Sequence, residues 1–95
     1  MFVNIGEDYV ISSSELLSII EYQIFMSSDT NRLLLDKISK EDGLLIINEQ
    51  VKKSVILLEG DKKIFAIISP VSVSTIANRF VNFNDYYDNY LSEGD

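Results

Sequence analysis

The residues of this chain best suited to chemistry are five bases gathered between positions 50 and 80: Lys52, Lys53, Lys62, Lys63 and Arg79. Ammonium and guanidinium groups meet phosphate oxygens, and such contacts hold a protein on a nucleic acid without reading its sequence. They stand out because the rest of the chain is acidic. Fifteen acids against eight bases give the 95 residues a formal charge of -7. Residues 1–49 hold nine acids and three bases, and residues 81–95 hold four acids and no base. Only the stretch between them has a cationic excess, so only there could an anion be met. The plainer reading is that these lysines keep strand ends soluble and guard sheet edges.

Covalent or acid–base chemistry has little to work with. Cysteine and histidine are both absent, which removes disulfides, thiol nucleophiles and the side chain that most often serves as general base near neutral pH. Ser12, Ser13 and Ser14 lack a histidine to activate them and read better as a helix cap. The acidic pairs Glu7-Asp8, Glu41-Asp42 and Asp85 with Asp88 do not have the spacing of a calcium loop and read as solvated turns. The four glycines, Gly6, Gly43, Gly60 and Gly94, are isolated, so no phosphate loop or dinucleotide fingerprint is present. The expectation is a protein with no catalysis, no metal and no cofactor. Apolar runs stop at four or five residues, far short of the roughly 20 that span a bilayer. The start of the chain lacks the basic region of a secretory signal. The cytoplasm is the expected compartment.

Ninety-five residues suit one domain. Phe2 to Ile5 alternates as a half-buried strand does, Gly6-Glu7-Asp8 turns, and Tyr9 to Ile11 resumes extended character. Ser12 and Glu15 have the spacing of a capping box, predicting one helical turn before a strand through Leu17 to Tyr22; the alternative is one short helix from Ser13 to Ile20. Ser27 or Ser28 then caps a helix with Asp29 in its first turn. Arg32, Asp36 and Lys40 are spaced to bridge along its solvent face, and Gly43 is placed for a left-handed cap. Strands follow at Leu44 to Ile47, Ser54 to Glu59 and Lys63 to Ile68. The last two make a hairpin in which Gly60 supplies the positive φ. Pro70 ends them, and Ser72 caps a second helix over residues 73–79, where Val73, Ile76, Ala77 and Phe80 form an apolar stripe.

The class is α+β: a small, mostly antiparallel sheet with two short helices on one face. Val55 to Leu58 and Ile64 to Ile68 are apolar at successive positions, so they need cover on both faces. A second subunit is the expected source of the other layer, which predicts a homo-oligomer; the alternative is that the N-terminal strands fold over and close it. A hairpin puts Lys52-Lys53 and Lys62-Lys63 at opposite ends, so only repetition in an oligomer would line up one pair into an avid surface. Residues 81–95 form an acidic tail whose Phe83, Tyr86, Tyr87 and Tyr90 could anchor a protein contact or fold back on the domain.

The run QVKKSVILLEGDKKIFAIISPVSVSTIANRF at residues 50–80, with FVNIG at residues 2–6, resembles the Rem family of bacterial extracellular-matrix regulators, long catalogued as a domain of unknown function. The likeness covers most of residues 2–80 and is loosest through the helix between its two ends. The SPVSVST stretch at residues 69–75 and the acidic, aromatic end are most similar to the RemB type of Gram-positive bacteria. The resemblance implies a sheet-and-helix fold like the DNA-binding domain of LytTR regulators. It also implies a role in biofilm gene expression, and a ring of subunits presenting a repeated basic surface to curved DNA.

The arginines used toward DNA in that family fall on Glu15, Gln50 and Val51 here, and none of the three is basic. Lys52 and Lys53 follow at once and are the candidates for replacement phosphate contacts. Arg79 matches an arginine near the end of the family's last helix, where a structural role is equally natural. Two readings follow. One is a RemB-like oligomeric regulator that binds DNA weakly or without sequence preference. The other is an oligomeric protein-interaction module that works through its tail, with a protein partner or a related family subunit and no DNA.

Overall fold

A computed structural model describes residues 1–80. The tail and its aromatic residues Phe83, Tyr86, Tyr87 and Tyr90 lie outside the described residues.

Strands β1 (Phe2–Gly6) and β2 (Tyr9–Ser12) form an antiparallel hairpin closed by Glu7 and Asp8. Asn4 organises the turn: its Oδ1 accepts from Gly6 N at 3.0 Å and its Nδ2 donates to Glu7 O at 2.9 Å. A 3-10 turn at Ser13–Glu15 follows, with Ser12 Oγ accepting from Ser14 N. Of the expected capping box, the serine half is present, whereas Glu15 lines a groove described below.

Strand β3 (Leu16–Glu21) runs directly into the short helix α1 (Tyr22–Met26), which pattern alone did not reveal. Glu21 makes no side-chain cap, and the helix is held by burying Phe25, which is 1% exposed. Helix α2 (Asp29–Lys40) is capped by Ser28, one of the two expected serines, its Oγ accepting from Asn31 N at 3.2 Å. Asp36 and Lys40 pair at 3.0 Å as expected. Arg32 instead pairs with Asp29 and donates to Met26 O at 2.5 Å, because the end of α1 leaves that carbonyl without a helical partner.

Strands β4 (Leu44–Ile46), β5 (Ser54–Gly60) and β6 (Lys63–Ser69) complete a four-stranded sheet in the order β3-β5-β6-β4. Its pairs are antiparallel except β4 with β6. The helix α3 spans residues 73–80, capped by Ser72 Oγ accepting from Thr75 N at 3.2 Å. The α+β class and the mostly antiparallel sheet are as expected. No helix among the described residues is long and apolar enough to cross a membrane.

Two glycine expectations are corrected. The left-handed residue after α2 is Asp42 (φ 60°), and that of the β5–β6 turn is Lys62 (φ 60°). Gly43 and Gly60 are needed for space instead. A Cβ on Gly43 would lie 3.1 Å from Ile64 O, and one on Gly60 would lie 2.6 Å from the Phe65 ring.

The helices also divide between the faces rather than sharing one. Val55, Ala66 and Ile68 meet Phe25 of α1 and Leu35 and Ile38 of α2. On the other face, Ile56 and Leu58 meet Ile5 and Ile11 of the β1–β2 hairpin and Ile76 of α3. The second layer thus comes from the chain itself, because Pro70 and Val71 turn α3 back over the sheet. Buried Ser69 donates to Ile5 O and accepts from Val71 N, and buried Ser54 donates to Val71 O at 2.8 Å. These two hydroxyls satisfy the backbone where sheet, hairpin and helix meet.

Candidate phosphate-contacting cleft

Lys53 is locked by its backbone before its side chain does anything. Its N–H donates to Ser69 O at 2.8 Å, and its carbonyl accepts from Tyr22 N at 3.0 Å. The lysine is thereby wedged between the end of β6 and the start of α1. Just upstream, Asn48 Oδ1 accepts from both Gln50 N (2.8 Å) and Val51 N (3.1 Å), fixing the loop that delivers Lys52. The backbone at this point needs no reordering to meet an anion, and the cost of the contact falls on the rotamer freedom of the two lysine side chains.

The two lysines border a cleft of about 290 Å³ whose other walls are Glu21, Gln23, Ser72 and Val73. Ser72 is the cap of α3, so the positive dipole end of that helix lies beside the same wall. Two carboxylates oppose this. Glu21 lines the cleft, and Glu49 approaches Lys52 Nζ at 3.8 Å. Lys53 is exposed and, among the described residues, has no carboxylate within ion-pair distance. The arrangement can hold a phosphate or carboxylate by charge, without the flat two-pronged grip of an arginine.

The other candidate bases lie elsewhere. Lys63 donates to Glu41 O and stands 5.3 Å from the Phe65 ring centre, at the far end of β5. Arg79 Nη1 donates to Asn4 O at 2.8 Å and does not line the cleft. It clasps α3 to the β1–β2 hairpin.

The three positions matched to the family's DNA-contacting arginines are split. Gln50 and Val51 adjoin Lys52, whereas Glu15 precedes Leu16, which pairs with Leu58 near the opposite end of β5. About 13 Å of strand separates Ser54 from Leu58, so one subunit does not unite these positions. Glu15 instead joins Asp42 in lining a groove of about 390 Å³, whose apolar wall includes Leu45, Leu58, Phe65 and Ile67. This is the part of the second face that hairpin and α3 leave uncovered.

Sequence reasoning missed Glu21 and Gln23 as cleft residues, because the strand-to-helix junction that places them gave no cap signal. Ser72 was legible as a cap, and only the fold brings that cap to the lysines.

Comparison with known proteins adds a lineage to this geometry. No curated protein matches the chain. The family model described as extracellular matrix regulatory protein A-like matches residues 2–80, which takes in both the β1–β2 hairpin and the α3 clasp. On that match, this chain belongs to the RemA-like family of extracellular matrix regulatory proteins.

Proposed function

We propose that the chain is a cytoplasmic, non-catalytic regulator of biofilm-matrix gene expression, of the RemB type. It works as a homo-oligomer that touches DNA weakly and without sequence preference. The observation that carries the DNA contact is the cleft at which Lys52 and Lys53, backbone-fixed, share a wall with the start of α3. Family membership supports the regulatory role. Non-basic residues at Glu15, Gln50 and Val51, with the overall charge of -7, account for a weak grip.

The open apolar groove supports assembly. Leu45, Phe65 and Ile67, half-buried along its wall, would gain by meeting a second copy, each contributing less than the about 1.5–3 kcal/mol of a side chain buried from full exposure. Repetition would then multiply weak phosphate contacts into useful avidity.

The deciding experiment titrates duplex DNA at about 50 and 200 mM salt with the wild type and a Lys52→Ala/Lys53→Ala variant. Affinity should fall alike for every DNA sequence, and the slope of log affinity against log salt should lose about 2, one per lysine. An unchanged slope with retained affinity would remove these residues from the interface. If the wild type takes up no DNA at either salt, the protein-interaction reading through the groove or tail takes its place.

A further inference from the structure

We propose that a second anion site, separate from the Lys52–Lys53 cleft, lies where the end of α2 meets the β5–β6 turn, and that it takes a small phosphate monoester with an apolar body. This site does not depend on the DNA reading.

Charge marks the place. A concavity of about 220 Å³ is lined there by Lys37, Lys62 and Lys63, with Glu41 as its one carboxylate. Three ammonium groups against one carboxylate leave an excess of two positive charges, in a chain of formal charge -7. The Lys52–Lys53 cleft has no such excess, because Glu21 lines it and Glu49 approaches Lys52. Lys37 and Glu41 are spaced to bridge along a helix. Yet among the described residues no carboxylate lies within ion-pair distance of Lys37, Lys62 or Lys63. The negative end of the α2 dipole opposes an anion, and Lys63 offsets it by donating to Glu41 O.

The walls are already in place. Gly43 N donates to Ile38 O at 2.9 Å, and Gly43 O accepts from Ala66 N at 2.9 Å, which ties the end of α2 to β6. A Cβ on Gly43 would lie 3.0 Å from Ile38 Cγ2 and 3.1 Å from Ile64 O, so the two walls meet as closely as a glycine permits. An arriving anion therefore orders lysine side chains but moves no backbone.

Shape and chemistry choose the ligand. Leu34, Ile38 and Ile64 give the concavity an apolar side, and Ile64 is 42% exposed. Inorganic phosphate would leave Ile64 wet, whereas an apolar body attached to the phosphate covers it. The space is smaller than the roughly 300 Å³ at which pockets for drug-sized ligands begin, so it suits one phosphoryl group and one small ring or short chain. A monoester carries about 1.5–2 negative charges at pH 7, which matches the excess of the site. Each phosphodiester of a nucleic acid carries only one.

The test titrates the full chain, labelled with nitrogen-15, with phenyl phosphate as the probe at about 50 mM salt and follows the amide signals. Saturable shifts should centre on Lys37, Lys62, Lys63 and Ile64, with a Kd of about 1 mM or tighter. Lys37→Gln and Lys62→Gln should each weaken the probe about threefold to fivefold. Ile64→Thr should weaken it about threefold and leave inorganic phosphate unchanged. Benzenesulfonate, the same ring bearing a single charge, should bind at least about threefold more weakly. Lys52→Ala/Lys53→Ala should leave the probe's affinity as it is. Shifts centred on Lys52 and Lys53, shifts that never saturate, or equal binding of phenyl phosphate and inorganic phosphate would each overturn the proposal. Displacement of the probe by duplex DNA, with the same signals moving, would make the site a nucleic-acid surface and overturn it too.

Discussion

Ser69 shows how much one small polar side chain can carry in this fold. It is fully buried, donates to Ile5 O and accepts from Val71 N, so it joins β1, β6 and the approach to α3. Ser69→Ala removes both bonds and strands a buried carbonyl. The expected loss is about 1–3 kcal/mol, read as a lower urea midpoint at unchanged m-value. Gly60 is constrained by space rather than by φ. Gly60→Ala pushes a methyl against the Phe65 ring and should cost about 1–3 kcal/mol. Lys62 carries the positive φ of that turn, and only a glycine there relieves it. Lys62→Gly should therefore be neutral or mildly stabilising in the same assay, in contrast to its neighbour. An equal penalty at both positions would contradict this division of roles.

At the scale of elements, α3 both closes the core and forms one wall of the cleft. It is fixed at one end by the Ser72 cap and near the other by Arg79 on Asn4 O. Ser72→Ala should cost about 1 kcal/mol and weaken DNA binding as well, because it loosens the helix start beside Lys53. Arg79→Ala should destabilise the fold while leaving the salt dependence of DNA binding unchanged. Parallel denaturation and salt-titration curves separate the two effects, and a lower salt slope in the Arg79 variant would mean that this residue meets phosphate after all. The β1–β2 hairpin and α3 are the elements that turned an expected subunit interface into an internal layer. Pattern reading found every strand of the hairpin and the cap of α3. It missed α1, a five-residue helix without a capping side chain, stabilised by burial of Phe25.

At the scale of the whole molecule, the lysine cleft and the apolar groove have opposite character and lie toward opposite ends of β5. Lys52 and Lys53 border one, while Glu15 and Asp42 line the apolar other. Assembly through the groove should be visible by light scattering as a mass above the monomer. Leu45→Asp, at a half-buried position of the groove wall, should reduce that mass while leaving the circular-dichroism spectrum of the domain intact. A wild-type monomer would leave the groove without a second copy as its occupant.

The sequence alone determined the class, most element boundaries, the cap at Ser72 and a cap at Ser27 or Ser28, the family likeness, and the confinement of the cationic excess to residues 50–80. These are local quantities: periodicity, cap chemistry and composition are written within a few residues of where they act. Tertiary structure alone decided which face each helix covers, that the hairpin and α3 supply the second layer, that Arg79 serves as a clasp, and that Glu15 lies far from Val51. Those outcomes depend on contacts between residues as distant in sequence as Ile5 and Ser69 or Asn4 and Arg79, and no local pattern encodes such a pairing.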